Sequence, residues 1–386
     1  MELESRYLET AIQVKAREKE PAHRRWRWPR QAVGYLLIAP AVIYLIMIIA
    51  YPLFNTIRMS FTEISHREKT TEFVGLRHYN RLLSLKPVTL DPLTDEKTGA
   101  VQLDEEGNVV FPRSRSVLRT DEYEGFSEWF TIDAFGKRCV IAAKDPIFWR
   151  SLKNTIVFTI ASTILHALVG GFFALILNEK WVSKRIRNVA RGLLILPWLF
   201  SMAASALMWA LLYHPLGPPN YLLQASGLAS EPINFLGNRD LAIWSLVAVN
   251  VWKYFPFYMV MILGGLQSIP LDLYDAARVD GASRFQRFRF VTLPLLRDVL
   301  VATSAIDLIT TFGVFDVVML LTQGGPFRST QTLAFYTWRV GFTDINIGYG
   351  SAISLLVLLM VGTGALLYLR LVTRKEAIYG QTTTRI

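Results

Sequence analysis

The chain has 386 residues, 52% of them apolar, and a formal net charge of +10; its mean hydropathy is +0.31. That composition argues against an ordinary soluble domain and for a membrane protein. The basic excess does not mark a nucleic-acid binder, because the cations cluster in alternate loops between apolar runs; the long 58–150 loop carries charges of both signs, but long loops are exempt from that rule.

In chain order, residues 1–32 form a polar tail with the wrong character for a cleaved signal peptide. Within it, 1–20 reads as a mixed-charge helix stopped by Pro21, lying on the membrane or on a partner. Trp26 and Trp28, set between arginines, suit the headgroup zone. A helix needs roughly 20 apolar residues to cross the hydrocarbon core, and residues 33–57 are the first run that qualifies. Pro40 and Pro52 are tolerable there because neighbours re-satisfy the freed carbonyls.

Residues 58–150 change character. The stretches AVQLDEEGNVVF (100–111) and FTIDAFGKRCVI (130–141) each read as a β-hairpin. They predict a β-rich insert over about 86–144, marginal alone at roughly 60 residues. Cys139 is the single cysteine, so no intrachain disulfide staples it. Asp121, Glu122 and Glu124 read as a solvated acidic turn rather than a glycosidase pair. FGKR at 135–138 is not a phosphate-binding loop, because Thr131 stands where the first glycine is needed. His166 reads as isolated in its apolar run, and no metal-ligand spacing occurs.

Five further runs follow within a core over 154–371: 154–177, 192–213, 241–266, 298–322 and 349–371. A tail over 372–386 closes the chain. Cations cluster before the first span (Arg24, Arg25, Arg27, Arg30), then at Lys180, Lys184, Arg185, Arg187 and Arg191. They cluster again at Arg278, Arg284, Arg287, Arg289 and Arg297, and at Arg370, Arg374 and Lys375. Loop 214–240 carries only Arg239, and loop 323–347 only Arg328 and Arg339. This alternation puts both termini in the cytoplasm. The expected fold class is all-α and polytopic, with six transmembrane helices and the β-rich insert, extracytoplasmic, between the first and second.

Between the fourth and fifth runs lies LYDAARVDGASRFQRFRFVTLPLL (273–296). Pro270 suits the first position of a short helix, and Asp272 and Asp275 sit near the positive end of its dipole. Gly281 offers a left-handed stop. Ser283 with Gln286 is a capping box that opens a second short helix. The predicted product is a sharply bent pair of helices with exposed phenylalanines and arginines, which is either a docking knob or an interfacial linker.

Polar residues inside apolar runs are costly and informative. Asn250, Lys253, Tyr254 and Phe257 share one helix face, as do Asp307, Thr310, Thr311 and Val314. At about 1.5 Å per residue, Lys253 and Asp307 lie roughly 18 and 14 Å deep, near the midplane. Either they line a shared polar cavity, or Lys253 and Asp307 pair to neutralise each other, or both.

The 273–296 stretch resembles the coupling loop of binding-protein-dependent ABC transporter permeases, EAA-two-DGA-five-F-two-I-x-LP. It supplies Asp275, Ala276, Ala277, Asp280, Gly281, Ala282, Phe288, Leu293 and Pro294 at matching spacings, with Asp275 in place of the glutamate and Val291 in place of the isoleucine. FVGLRHYNRLL (73–83), DPIFWRSLKNTIVFT (145–159), NVWKYFPF (250–257) and LTQGGPFRSTQTLAFYTWRVGF (321–342) resemble the MalF-type carbohydrate permeases. The resemblance implies a MetI/MalF-like fold in a bacterial or archaeal inner membrane. It implies a transport subunit rather than an enzyme, serving uptake of an oligosaccharide or related polyol, with the 273–296 loop gripped by an ATPase. The implied partners are a MalG-type second permease, two copies of a nucleotide-binding subunit that holds ATP and Mg, and an extracytoplasmic solute-binding protein. By the same resemblance Asn250, Tyr254, Phe257, Asp307, Thr310, Thr311 and Val314 fall at sugar-contacting positions. The insert separates two motifs that lie close together in typical relatives. A membrane enzyme built on that insert, or a stand-alone secondary transporter, fits the 273–296 loop less well.

Overall fold

The computed structural model describes residues 30–65, 70–95, 100–134, 136–179 and 183–380. The expected helix over 1–20, the tryptophans at 26 and 28, and Lys180 lie outside the described residues. The chain divides into two compact units, Met1–Asn55 and Thr56–Ile386. The first is dominated by an apolar helix, α1 (Gly34–Ser60), whose apolar window has no buried residue. Its middle widens to a π-helical segment, Ile46–Ala50, closed by a bond from the Tyr51 N–H to the Ile46 carbonyl. Pro52 follows directly; its ring clashes with the carbonyl four residues back, and the wider turn relieves that clash.

In the second unit, β1 (Thr62–Ser65) and β2 (Thr70–Phe73) pair antiparallel, followed by α2 (Arg77–Leu83). A three-stranded antiparallel sheet comes next, with β3 (Leu85–Leu90), β4 (Ser127–Ala134) and β5 (Lys137–Ala143) in the order β3-β5-β4. The β4–β5 hairpin coincides with the predicted 130–141 stretch, turning through Gly136 at φ +73°. Across it Arg138 grips Asp133 with two hydrogen bonds of 2.7 and 2.8 Å, which hold the Asp133 carboxyl below the usual carboxylate range. Strand β3 escapes a sequence reading because it contains Pro87, which only an edge strand accommodates. The expected 100–111 hairpin is reduced to isolated bridges, Thr94 with Val101 and Leu103 with Val109. There the Asp104 carboxylate takes the N–H groups of Glu106 and Asn108, so a side chain supplies the turn in place of a strand ladder. Val88, Leu90, Leu118, Val140 and Ala142 form the small core.

The helices follow: α3 (Pro146–Asn178), α4 (Lys184–Leu199), α5 (Met202–Leu212), α6 (Pro218–Ala225), α7 (Ala242–Ser268), α8 (Leu271–Val279), α9 (Arg284–Arg287), α10 (Arg297–Phe312), α11 (Asp316–Leu321), α12 (Leu333–Trp338) and α13 (Ile347–Gly380). Among the described residues four helices are long and apolar enough to cross a membrane, five if the α4–α5 pair is one broken span. Two of the expected spans are therefore not continuous helices. The 192–213 run bends by 96° between α4 and α5, because Pro197 weakens the end of α4 and Ser201 N-caps α5 in its place. The 298–322 run stops at Phe312 with Gly313 as its C-cap; glycine is a poor helix former, and the Val314 N–H turns back to the Thr311 carbonyl at 3.2 Å. The last helix is longer than expected, running on to Gly380 through residues read as a tail.

Asp145 ties three elements together. One oxygen caps α3 through the N–H groups of Ile147 and Phe148. The other accepts from the hydroxyls of Tyr336 on α12 and Tyr349 on α13. Helices α3 and α7 pack almost backbone to backbone at Gly170. A Cβ there would stand 2.6 Å from the Tyr258 Cβ and 2.7 Å from the Phe255 carbonyl oxygen. Small residues at such crossings let transmembrane helices approach closely. Gly170→Ala should cost about 1–3 kcal/mol by overpacking, read as a lower Tm of the detergent-solubilised protein. An unchanged Tm would mean the crossing is slack.

Candidate substrate path and coupling loop

The polar centre of the second unit is built around His166 on α3. Its Nδ1 lies 3.0 Å from Asp307 Oδ2 on α10. Its Nε2 lies 3.2 Å from the Asn250 carbonyl and 3.4 Å from the Asn250 side-chain amide on α7. The ring therefore has partners in either protonation state: a neutral ring accepts from the amide, and a charged one donates to the carbonyl. Asp307 is completed by donors from Thr311 at 2.9 Å and Tyr258 at 3.2 Å. A carboxylate only 5% exposed needs such a shell to persist away from water.

The expected site residues separate into groups. Asn250, Asp307 and Thr311 are brought together, with Tyr254 edge-on to the His166 ring at 6.1 Å. Phe257 turns towards Trp198 on α4, with ring centroids 5.9 Å apart. Thr310 is exposed and returns its hydroxyl to the Ile306 and Asp307 carbonyls. Val314 is buried in an apolar cluster with Phe158, Val247 and Phe335. Lys253 does not pair with Asp307. It donates to the Phe200 carbonyl at 2.5 Å, placing an ammonium at the negative end of α4 where the α4–α5 pair bends, a favourable place for a cation.

His166 is the residue that sequence reasoning missed, since it looks isolated along the chain. A signal was present: Ser151, Thr155, Thr159, Ser162 and His166 recur at helical spacing on one face of an otherwise apolar α3, and all are buried. A polar seam of that kind marks the face a membrane helix turns to its neighbours.

The 273–296 stretch folds as two short helices about a sharp bend. Pro270 is the N-cap of α8 rather than its first residue. Gly281 takes φ +77°, the Gly281 N–H bonds the Arg278 carbonyl, and the Ala282 N–H bonds the Ala277 carbonyl, so α8 ends in a Schellman motif. Ser283 and Gln286 close the capping box of α9. A π-helical turn, Phe288–Thr292, leads through Leu293 and Pro294 towards α10. The Tyr274 hydroxyl meets Thr292 Oγ1 at 2.9 Å and clamps the base of the bend. Asp275, Ala276, Asp280 and Gly281 are exposed, and Asp275 pairs with Arg278. Val279, Phe285 and Phe290 are 88%, 73% and 73% exposed, too apolar a display for a face that meets only water.

The fold has solved counterparts. The structure is similar to a bacterial ABC transporter involved in import of the acidic polysaccharide alginate, with a TM-score of 0.64 at 19% identity, covering 89% of this chain and 96% of that one. Among curated proteins, the trehalose/maltose transport system permease protein MalF of Thermococcus litoralis is 32% identical over 88% of this chain and 92% of its own length. The sulfoquinovosyl glycerol transport system permease protein SmoG of Agrobacterium fabrum is 27% identical over 91% of this chain and 95% of its own. Residues 166–376 match the family described as binding-protein-dependent transport system inner membrane component. With the bent, apolar-tipped loop and a buried polar seam among apolar helices, these likenesses lead to one assignment: the chain belongs to the inner-membrane permease components of binding-protein-dependent ABC transport systems.

Proposed function

We propose that this permease forms half of the translocation path of an ABC importer for a sugar or related polyol, and that it couples ATP hydrolysis on a partner to alternating access. It crosses the membrane six times, through α1, α3, the broken α4–α5 pair, α7, α10 with α11, and α13, with both termini cytoplasmic and the β-sheet insert outside. The observation that carries the reading is the 273–296 bend: a rigid, doubly capped turn with an exposed apolar tip is a lever that another protein can hold. A MalG-type permease completes the path, two copies of an ATPase subunit hold ATP and Mg, and an external solute-binding protein delivers the cargo. The chain itself carries out no chemistry. The sugar class is supported by relatives named for trehalose/maltose, lactose and sulfoquinovosyl glycerol.

In this mechanism closure of the ATPases draws the two coupling loops together. The Tyr274–Thr292 clamp passes that movement to α10, which carries Asp307. Asn250, Tyr254, Phe257, Asp307, Thr310 and Thr311 form the substrate-facing set, with Val314 held instead in the apolar cluster; in that set Asp307 accepts from sugar hydroxyls and the aromatic faces stack on the ring. Reconstitution with the partner subunits should give ATP hydrolysis stimulated by loaded binding protein, and uptake of one member of a panel of mono-, di- and trisaccharides. Solute movement by this chain alone, without an ATPase, would overturn the reading.

A further inference from the structure

A polar cavity of about 360 Å³ lies away from the His166 centre, between α2, the start of α3, the 323–332 loop, α12 and the start of α13. Three guanidinium groups line it, those of Arg81, Arg328 and Arg339. They come from sequence segments that are far apart. Two of them are the only cations of the 323–347 loop. Such a loop, if it lies outside, is kept poor in cations, so two there, both turned into one cavity, call for a local reason.

None of the three arginines makes an ion pair among the described residues. Arg81 lies over the Tyr349 ring, 4.5 Å from its centroid. The acidic groups nearby are Asp344, exposed and also lining the cavity, and Asp145 beneath the floor, already engaged by the Tyr336 and Tyr349 hydroxyls and the α3 cap. The independent observation is Gln331. It lines the same cavity, is only 1% exposed, and its Nε2 has no hydrogen-bond partner. A buried amide donor left unpaired is costly, and here it lies beside three charged donors. The backbone of this wall is held firmly: Asn154 Nδ2 bonds both the Arg328 and Gln331 carbonyls at 3.1 Å, and Arg328 is kept at φ +63°.

We propose that this cavity is an oxyanion site that takes a carboxylate or sulfonate group, with Arg328 and Arg339 as the charged donors, Gln331 as the neutral one and Arg81 at the rim. Planar guanidinium groups suit such groups because two N–H donors can meet two oxygens at once. The volume is large enough for one acidic sugar residue or for an acidic side chain. The assignment rests on the importer reading only for which side the cavity faces, and hence for where the anion comes from: an acidic solute, or a carboxylate on the solute-binding protein.

The test is calorimetric titration of the intact transporter in nanodiscs with glucuronate, with glucose as the neutral control, and separately with the unliganded binding protein. Glucuronate should bind where glucose does not, and R328Q or R339Q should each weaken it by roughly ten-fold or more. Gln331→Leu, which keeps every charge, should weaken it several-fold. If the substitutions weaken glucuronate alone, the anion belongs to the solute. If they weaken the binding protein, and glucuronate competes with it, the anion is a protein carboxylate. Equal binding of glucose and glucuronate, or binding in both arms indifferent to R328Q and R339Q, or no binding in either arm, would overturn the site. No ATP turnover enters this measurement, so its failure is distinguishable from failure of the importer reading.

Discussion

Asp307→Ala should abolish sugar-stimulated ATP hydrolysis and uptake, and should also lower the Tm of the assembled transporter. Two effects combine. The substitution removes the acceptor shared by His166, Tyr258 and Thr311, and a buried donor left without a partner costs about 1–3 kcal/mol. It also removes the carboxylate proposed to meet sugar hydroxyls. Asp307→Asn separates the two, because at nearly the same volume its amide oxygen, placed at the Oδ2 position, still accepts from Tyr258, and its NH2 can donate to the Thr311 hydroxyl oxygen. Near-native Tm with uptake down by at least an order of magnitude is the expected result for Asn. Full uptake with unchanged specificity in Asp307→Asn would remove Asp307 from the substrate site and leave it a purely structural role.

Gly281→Val is expected to uncouple the machine. A Cβ at this position meets nothing within 4 Å, yet the backbone sits at φ +77°. The penalty is therefore conformational, not steric crowding: about 1–2 kcal/mol for an ordinary L-residue in left-handed backbone, more for a β-branched one. The Schellman bond from Ala282 to Ala277 and the direction of α9 depend on that backbone. We expect the variant to reach the membrane and hydrolyse ATP while the ratio of sugar moved to ATP consumed falls by roughly ten-fold. Gly281→Asn, which tolerates the left-handed region, should retain most of the coupling. A fully coupled Gly281→Val transporter would show that the bend is not the lever.

The two variants bracket the proposed stroke. Gly281 sits where force would enter, and Asp307 sits where the substrate would feel it. Between them run the Tyr274–Thr292 clamp and the π-helical turn into α10. Lys253 adds a fixed point, because its ammonium holds the Phe200 carbonyl at the bend between α4 and α5. That bend keeps Trp198 against Phe257, so this aromatic pair, part of the proposed path, depends on a cation on a neighbouring turn of α7.

Read alone, the sequence determines the features that act over a few neighbouring residues. Hydropathy marks the apolar runs, and the β4–β5 hairpin is legible from two β-leaning runs about a glycine. The 273–296 bend is legible because a glycine stop and a serine–glutamine capping box are chemistry among near neighbours in the chain, Gly281 to Gln286. What only the tertiary structure decides depends on contacts across long separations. His166 meets partners 84 and 141 residues away, and no local pattern announces a pairing of that range. Lys253 is drawn to a carbonyl freed by the bend between two helices, a group that exists only once that bend has formed. The loop beyond Gly313 is held in the same way, because Thr332, 18 residues on, donates to the Val314 carbonyl. The arginines of the Gln331 cavity converge for the same reason: a side chain's partner is set by which helix faces pack together, and packing is a property of the whole fold.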